Sequence, residues 1–322
     1  MEINYILLAH RSPKQIKLLV NKLDTPNCNF YVHIDKGANQ SPFIDALLHK
    51  SNVFFLPDSL REFGTWGDIG IVKATLNALS TIVEDHRNGY CILLSGQDYP
   101  LKNNREIGAF FKNHYGENFI SIFSLPYQNG WGNDGGLNRL NQYKINLSNN
   151  RLDFIQLPSI FEINFYRKEN LYKLYKLAKS KRYSSLLKPL KRRRFPSSMK
   201  PYGGSQWWAF PIETIHQILK FIDANPNYTK YHKNSLLPDE LFFHSILMHL
   251  KEKNSSVIIK PSITYVNWTR KNTSLPVTFT ADDIDELKEQ GAKNKLFARK
   301  FNIEEDREIL NLIDELLLKD QN

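Results

Sequence analysis

The sequence predicts an α/β fold, an open sheet flanked by helices whose working edge lies at the carboxyl ends of the strands. Short apolar runs alternate with helix-like stretches through the first 125 residues, which is the rhythm of strand–helix–strand units. The run from Tyr90 to Ser95 is apolar throughout its middle, as befits a central strand covered on both faces. The chain of 322 residues, 41% hydrophobic and 12% aromatic, can bury a large core.

Taken in order, Asn4 to His10 reads as a strand stopped by Arg11-Ser12-Pro13, where Ser12 caps and Pro13 opens a helix to Leu23. Phe30 to Asp35 and Val53 to Leu56 are the next strands, with a helix from Pro42 to His49 between them. His10 and Asp35 close two strands at the expected ligand edge, and Asp35 suits a ribose or a base. The turn Glu62 to Asp68, with Gly64 and Gly67, allows close backbone approach to a ligand or merely shapes a loop. Asp68 is placed to cap a long helix reaching about His86. After the central strand, the loop Gly96 to Leu101 sits where such sheets bind ligands and contains Asp98. A helix from Asn104 to Asn113 and a strand from Asn118 to Ser124 follow.

Residues 127–141, rich in Gly, Asn and Trp, form a long loop with Arg139 as a chemically useful member, Tyr143 following. Residues 144–200 are the least informative, with a Lys- and Tyr-rich helix from Lys168 to Ser180 and a basic loop, Lys188 to Arg194. Tyr202 to Phe210 restores strand character; its glycines allow close approach, and Gln206, Trp207 and Trp208 offer an amide and stacking faces, although Trp in a strand also suits a core. Pro238 is set to open a buried helix with Asp239 and Glu240 in its first turn. Acids there are explained by the helix dipole, or alternatively by a general base at the floor of a cleft. Ser256 to Lys260 and Ile263 to Trp268 are strands. Thr280 to Asp283 forms a capping box, so Asp283 and Asp285 do not read as a metal-binding D-x-D pair. In Leu296 to Phe301, Phe297 and Phe301 anchor Arg299 and Lys300, and a last helix ends near Leu318.

A net charge of +10 fits an anionic partner: nucleic acid, a sugar nucleotide or an acidic membrane surface. The Lys188 to Arg194 loop is expected either to be solvated or to touch anionic lipid or a polyanionic acceptor. Cys28 and Cys91 read as reduced, buried thiols, with no disulfide framework or zinc site. Absence of a long apolar run or a leader-like start leads us to expect a cytoplasmic protein, peripheral at most to the inner face of the membrane. The strongest motifs are acidic or apolar rather than a basic stripe, so no nucleic acid is expected, and no Asp/His cluster suits a metal phosphoesterase.

The ordered set Ile6 to His10, Tyr31 to Lys36, Trp66-Gly67, Leu94 to Leu101, Gly204 to Trp207, Leu237 to Glu240 and Phe297 to Phe301 resembles glycosyltransferase family 14. This family comprises the core 2 and I-branching β-1,6-N-acetylglucosaminyltransferases and the peptide O-xylosyltransferases. The resemblance implies a single GT-A-like domain over 1–322, with a nucleotide-binding half in 1–125 and an acceptor half in 126–322. It also implies inverting transfer from a UDP-sugar to a glycan or lipid-linked glycan, with no cofactor and no divalent metal. Glu240 falls on the family's catalytic base, Arg299 and Lys300 on its diphosphate-binding residues, and Arg270 on a further phosphate contact. His10 and Asp35 are assigned to the nucleotide, and Asp98, Arg139, Gln206 and Trp207 to the substrate. Xylosyltransferases carry Asp where Gln206 stands, which favours UDP-N-acetylglucosamine over UDP-xylose. A basic polyanion-binding protein is the remaining alternative.

Overall fold

The computed structural model describes residues 1–128, 130–148, 150 and 152–319. In chain order its strands are β1 (Ile3–Ala9), β2 (Cys28–Ile34), β3 (Val53–Phe55), β4 (Tyr90–Ser95), β5 (Asp98–Pro100), β6 (Glu117–Phe119) and β7 (Ile122–Ser124). They continue with β8 (Gln142–Asn146), β9 (Phe154–Pro158), β10 (Tyr202–Gly204), β11 (Ala209–Pro211), β12 (Ile258–Lys260), β13 (Thr264–Val266) and β14 (Phe297–Arg299). Seven of them form the central mixed sheet in the order β12-β6-β11-β4-β1-β2-β3. The pairs β1–β2, β1–β4 and β2–β3 are parallel, whereas β11 runs antiparallel to both β4 and β6. Because β11 and β12 lie beyond residue 200, the sheet is assembled from both ends of the chain.

Strand alternation explains why the apolar runs contain so little polar character. Along β1, Ile3, Tyr5, Leu7 and Ala9 enter one core cluster while Ile6 enters the other, and in β4 Tyr90, Ile92 and Leu94 oppose Cys91 and Leu93 in the same way. Both faces are therefore dry. Helix Pro13–Leu23 covers the first face through Ile16, Leu19 and Val20; helices Gly70–Glu84, Ile212–Ala224 and Phe242–Lys253 cover the second. Cys28 and Cys91 are free and buried, and burial pushes the Cys91 thiol far up. A third, small cluster joins Tyr143, Ile145, Ile155 and Leu157 of the β8–β9 hairpin to Leu177 of helix Lys168–Lys179.

Local geometry departs from the sequence expectations at several ends. Ser12 precedes its helix in the left-handed region (φ 54°) and makes no side-chain cap; only its carbonyl accepts, from the Gln15 and Ile16 N–H groups. Asp68 does not cap helix Gly70–Glu84, because its carboxylate is taken by the Lys144 ammonium and by Asn146 Nδ2 at 2.7 Å. The stretch from Asn118 to Ser124 divides into β6, in the central sheet, and β7, which pairs with β10. Pro238 to Glu240 is a separate 3-10 turn, and the α-helix starts only at Phe242. The Thr280–Asp283 capping box forms as expected.

Candidate active site

Parallel pairing aligns the carboxyl ends of β1, β2 and β4, with Ala9 opposite Ile34 and Leu8 opposite Ser95. His10, Asp35 and the loop after Ser95 thus share one edge of the sheet. Asp35 is half-buried and serves the backbone of this edge: Oδ1 accepts from Gly37 N–H at 2.7 Å and Oδ2 from Gly64 N–H at 2.5 Å. That second bond explains Gly64, where a Cβ would fall 2.8 Å from the same oxygen. Arg61, which sequence reasoning did not single out, clamps the edge from below by donating to the carbonyls of Ile34, Asp35 and Ala38.

Arg299 enters the edge from a three-stranded sheet in which β14 pairs with β13 and β5, bringing Arg299 opposite Asp98. Its Nη1 donates to Ser95 Oγ at 2.9 Å and lies 3.2 Å from Asp98 Oδ1, and its guanidinium stacks 4.0 Å over the Trp207 ring. Both contacts use one nitrogen of a group with five N–H donors. Asp98 has no exposed surface and accepts the Ser95 N–H at 2.6 Å. Burial pushes its carboxyl up and Arg299 opposes that shift. The sequence assigned Asp98 to substrate; buried as it is, it can act on a ligand only through the guanidinium that it orients. Phe297 and Phe301 are fully buried on either side of Arg299 and Lys300, as their spacing suggested, and the Phe301 N–H donates to the Gln97 carbonyl at 2.8 Å.

A second charged centre surrounds Glu240. Leu237, left-handed at φ 51°, turns the chain into Pro238–Glu240, and its N–H donates to Gly67 O at 3.0 Å. The Glu240 carboxylate pairs with Nη1 of Arg139, on the short helix Asn138–Asn141, and the Arg139 guanidinium lies 3.6 Å over Trp131. Burial raises the Glu240 pKa and Arg139 pulls it back. The adjacent Asp239 is pushed well above the usual carboxylate range, first by burial and then by Glu240, and its Oδ1 is buried without a hydrogen-bond partner. The turn precedes the α-helix, so the ion pair with Arg139, rather than a first-turn helix dipole, favours the charged form of Glu240. Beside Gly67 opens a cavity of about 270 Å³ lined by Asp68, Lys73, Lys144 and Lys188 among others.

The segment Tyr202–Trp207 connects the two centres. Helix Phe242–Lys253 holds one end through Ser245 Oγ, which accepts the Tyr202 N–H at 3.0 Å, and through His244 Nε2, which donates to Ser205 O at 3.0 Å. Trp207 at the other end lies beneath Arg299, with its carbonyl bonded to Ser262 Oγ at 2.9 Å. Gln206 falls between these supports and is half-buried. The glycines here admit protein rather than ligand: a Cβ on Gly203 would meet the Trp131 ring at 2.6 Å, and one on Gly204 would meet Ser121 O at 1.8 Å.

Arg270 stands apart from both centres in its pairing. Its Nη2 donates to Asp283 at 2.6 Å and to Glu286 at 2.7 Å, so its charge is already matched by two carboxylates. Tyr143 is buried and donates to Lys191 O at 3.0 Å. Lys144, in the stretch judged least informative, is almost wholly buried against Asp68 and Asn146; a lone Lys within an alternating apolar run was its one signal. Among the described residues no three His, Cys, Asp or Glu side chains are grouped so as to hold a metal ion.

The chain is similar to several known proteins. Xylosyltransferase 2 of Rattus norvegicus is 23% identical over 333 residues, covering 98% of this chain and 33% of that protein. Xylosyltransferase 1 of Homo sapiens is 22% identical, covering 98% and 30%. This chain thus spans about a third of the length of the curated relatives it matches. Among solved structures, mouse xyloside xylosyltransferase 1 in its apo form is similar with a TM-score of 0.36 at 12% identity, covering 92% of this chain and 97% of that one. The profile of the Core-2/I-Branching enzyme family matches residues 3–290, and the chain belongs to that family.

Proposed function

We propose that this protein is an inverting glycosyltransferase that moves a sugar from a UDP-sugar to a hydroxyl of a glycan or lipid-linked glycan, without a divalent metal, in the cytoplasmic synthesis of a surface polysaccharide. The observation that carries the reading is the separation of charge: a carboxylate on one side of Tyr202–Trp207 and a fixed guanidinium on the other. Glu240 takes the proton of the acceptor hydroxyl as its oxygen attacks the anomeric carbon from the face opposite the diphosphate. The bond from that carbon to the diphosphate oxygen breaks, and the electron pair leaves with UDP. General-base assistance of this kind contributes about 10² to 10⁴-fold. Arg299 and Lys300 stabilise the departing charge by up to roughly 4 kcal/mol for each close pair at an effective dielectric of about 20.

In this reading His10 and Asp35 face the nucleoside at the edge of the 1–125 half, and Gln206 with Trp207 faces the transferred sugar. Arg139 holds Glu240 until the acceptor arrives, and the 126–322 half receives that acceptor. The neutral Gln206 favours UDP-N-acetylglucosamine. The xylosyltransferases among the relatives favour UDP-xylose, so both donors are candidates. The test is UDP release from each UDP-sugar, with and without an added glycan acceptor, in excess EDTA. The expected result is acceptor-stimulated release that EDTA leaves unchanged. Loss of release in EDTA that manganese or magnesium restores would sink the metal-free mechanism.

A further inference from the structure

Residues 161–194 hold twelve Lys and Arg against two Glu, a net of ten positive charges that equals the net charge of the entire chain. The remaining 288 residues of the 322 are therefore balanced. The same segment is unusual in its apolar exposure. Of the nineteen large apolar side chains exposed among the described residues, nine fall in 161–190, including Ile163 at 84% and Leu187 at 62%. Singly scattered exposed apolar residues are ordinary, but a cluster is not.

These residues lie on one helix and on the segments that pack beside it. Helix Lys168–Lys179 turns Leu177 into the small core of the β8–β9 hairpin and leaves Leu171, Tyr172 and Tyr175 outside, flanked by exposed Lys168, Lys176 and Lys179. The flanking 3-10 segments are Ile163–Tyr166 and Tyr183–Leu190. They are tied together where Ile160 N–H donates to Pro189 O at 2.9 Å and where the Arg192 guanidinium lies 4.9 Å over the Phe161 ring. The basic loop does not act as a uniform strip, because Arg193 turns inward to Tyr231 O at 3.1 Å and Ser235 Oγ at 2.6 Å. Eight of the twelve cations remain exposed, at 167, 168, 176, 179, 181, 191, 192 and 194.

We infer that this face docks on the surface of an anionic lipid bilayer, with the helix Lys168–Lys179 lying in the interface. Cations alone would serve a soluble polyanion equally well. What favours a bilayer is the aliphatic and tyrosyl content among them: Ile163, Leu171 and Leu187 gain nothing from a polyanion but can enter the acyl boundary, while Tyr and Lys side chains sit at headgroup level. The inference stands independently of glycosyl transfer, since none of these side chains belongs to the two charged centres.

The test is co-sedimentation of the full chain with vesicles of phosphatidylcholine alone and of phosphatidylcholine with phosphatidylglycerol, run beside binding to immobilised dextran sulfate. The expected result is binding to dextran sulfate and, of the two vesicle types, to the anionic one only. Lys176→Gln with Lys179→Gln should weaken it about five-fold per lysine. Leu171→Ser with Tyr175→Ser should weaken vesicle binding at least about ten-fold while leaving dextran sulfate binding unchanged. Indifference to lipid charge would overturn the proposal. So would a Leu171→Ser, Tyr175→Ser variant that binds vesicles as the unaltered chain does, because the face would then be a simple polyanion or acidic-protein site. Thermal melting and UDP binding of each variant separate lost docking from lost folding, and Glu240→Gln should bind vesicles normally whatever its effect on transfer.

Discussion

The Arg299 centre and the Glu240 centre are built from opposite kinds of structure. Arg299 ends a strand paired on both sides, its guanidinium fixed by a fully buried Asp98, by Ser95 and by the Trp207 face. Glu240 closes a three-residue 3-10 turn entered through a left-handed Leu237, and its partner Arg139 comes from a four-residue helix behind a glycine-rich loop. One centre is over-determined by sheet pairing, the other by a few side-chain contacts. On the proposed mechanism the division is sensible, because a leaving diphosphate has one position and an acceptor must enter and depart. Elements that move are drawn from the less stabilised parts of a fold.

The largest effect expected to follow from this contrast is chemical. Glu240→Gln keeps the shape and most of the hydrogen bonding of the turn but cannot accept a proton. Transfer should fall by about 10² to 10⁴ in kcat while the Kd for UDP changes little. Retention of a tenth or more of the original rate, measured with saturating donor and acceptor, would remove Glu240 from the role of base.

The second effect concerns acid. Burial lowers the pKa of His232 to about 3 and of His244 to about 4, and these flank the Glu240 turn; His33, also lowered to about 4, lies at the sheet edge and accepts the Glu62 N–H. A folded pKa depressed below the unfolded value of about 6.5 gives stability that is complete above that pH and is lost as pH falls towards the folded values. Each histidine then contributes about 3 to 5 kcal/mol of destabilisation once fully protonated. With two of the three flanking the Glu240 turn in the chain, hydrogen exchange between pH 6 and 4 should accelerate first in residues 235–250. Uniform acceleration across β1, β2 and β4 would contradict the claim that the two centres differ in stability.

Third comes the diphosphate. Arg299→Ala should weaken UDP by about 10 to 150-fold, the equivalent of roughly 1.5 to 3 kcal/mol for a charge-assisted contact, and uridine hardly at all. Calorimetry showing equal losses for the two ligands would place Arg299 outside the phosphate site and leave its fixed geometry without a ligand.

Legibility in the sequence follows the same contrast. The sheet was readable because both of its faces are dry, so strands such as Tyr90–Ser95 announce themselves as unbroken apolar runs. The flanking Phe297 and Phe301, both fully buried, likewise marked Arg299 as a held cation. Contacts made across long separations left no local trace. Arg139 and Glu240 lie 101 residues apart, Arg299 and Ser95 lie 204 apart, and no periodicity links either pair. Asp98 looked like a ligand-facing acid because a polar loop after an apolar strand is where such acids occur, and only its burial reveals a supporting role. Ser12 and Asp68 looked like helix caps by residue type, yet one is left-handed and the other is claimed by Lys144, a tertiary contact that local propensity cannot anticipate.

The smallest effect is the sharpest on the Glu240 centre itself. Burial drives this carboxylate towards its neutral form, which cannot act as a base, and the Arg139 guanidinium is the counterweight. Replacing Arg139 by Met preserves much of the packing against Trp131 while removing the charge. The Glu240 pKa should then rise, so that a larger fraction of the enzyme is protonated at any acidic pH. The acid limb of the profile of kcat/KM against pH should move upward, with the alkaline plateau less affected, as a change in a group's ionisation rather than in its position demands. A second variant separates charge from structure: Arg139→Lys should restore most of the original limb if the ion pair sets the pKa, and should fail to do so if Arg139 merely shapes the loop. A limb unmoved in Arg139→Met would mean that the group titrating in the rate is not Glu240. The buried neighbour Asp239, whose carboxyl is raised by the same desolvation and by Glu240 itself, would then be the next group to replace.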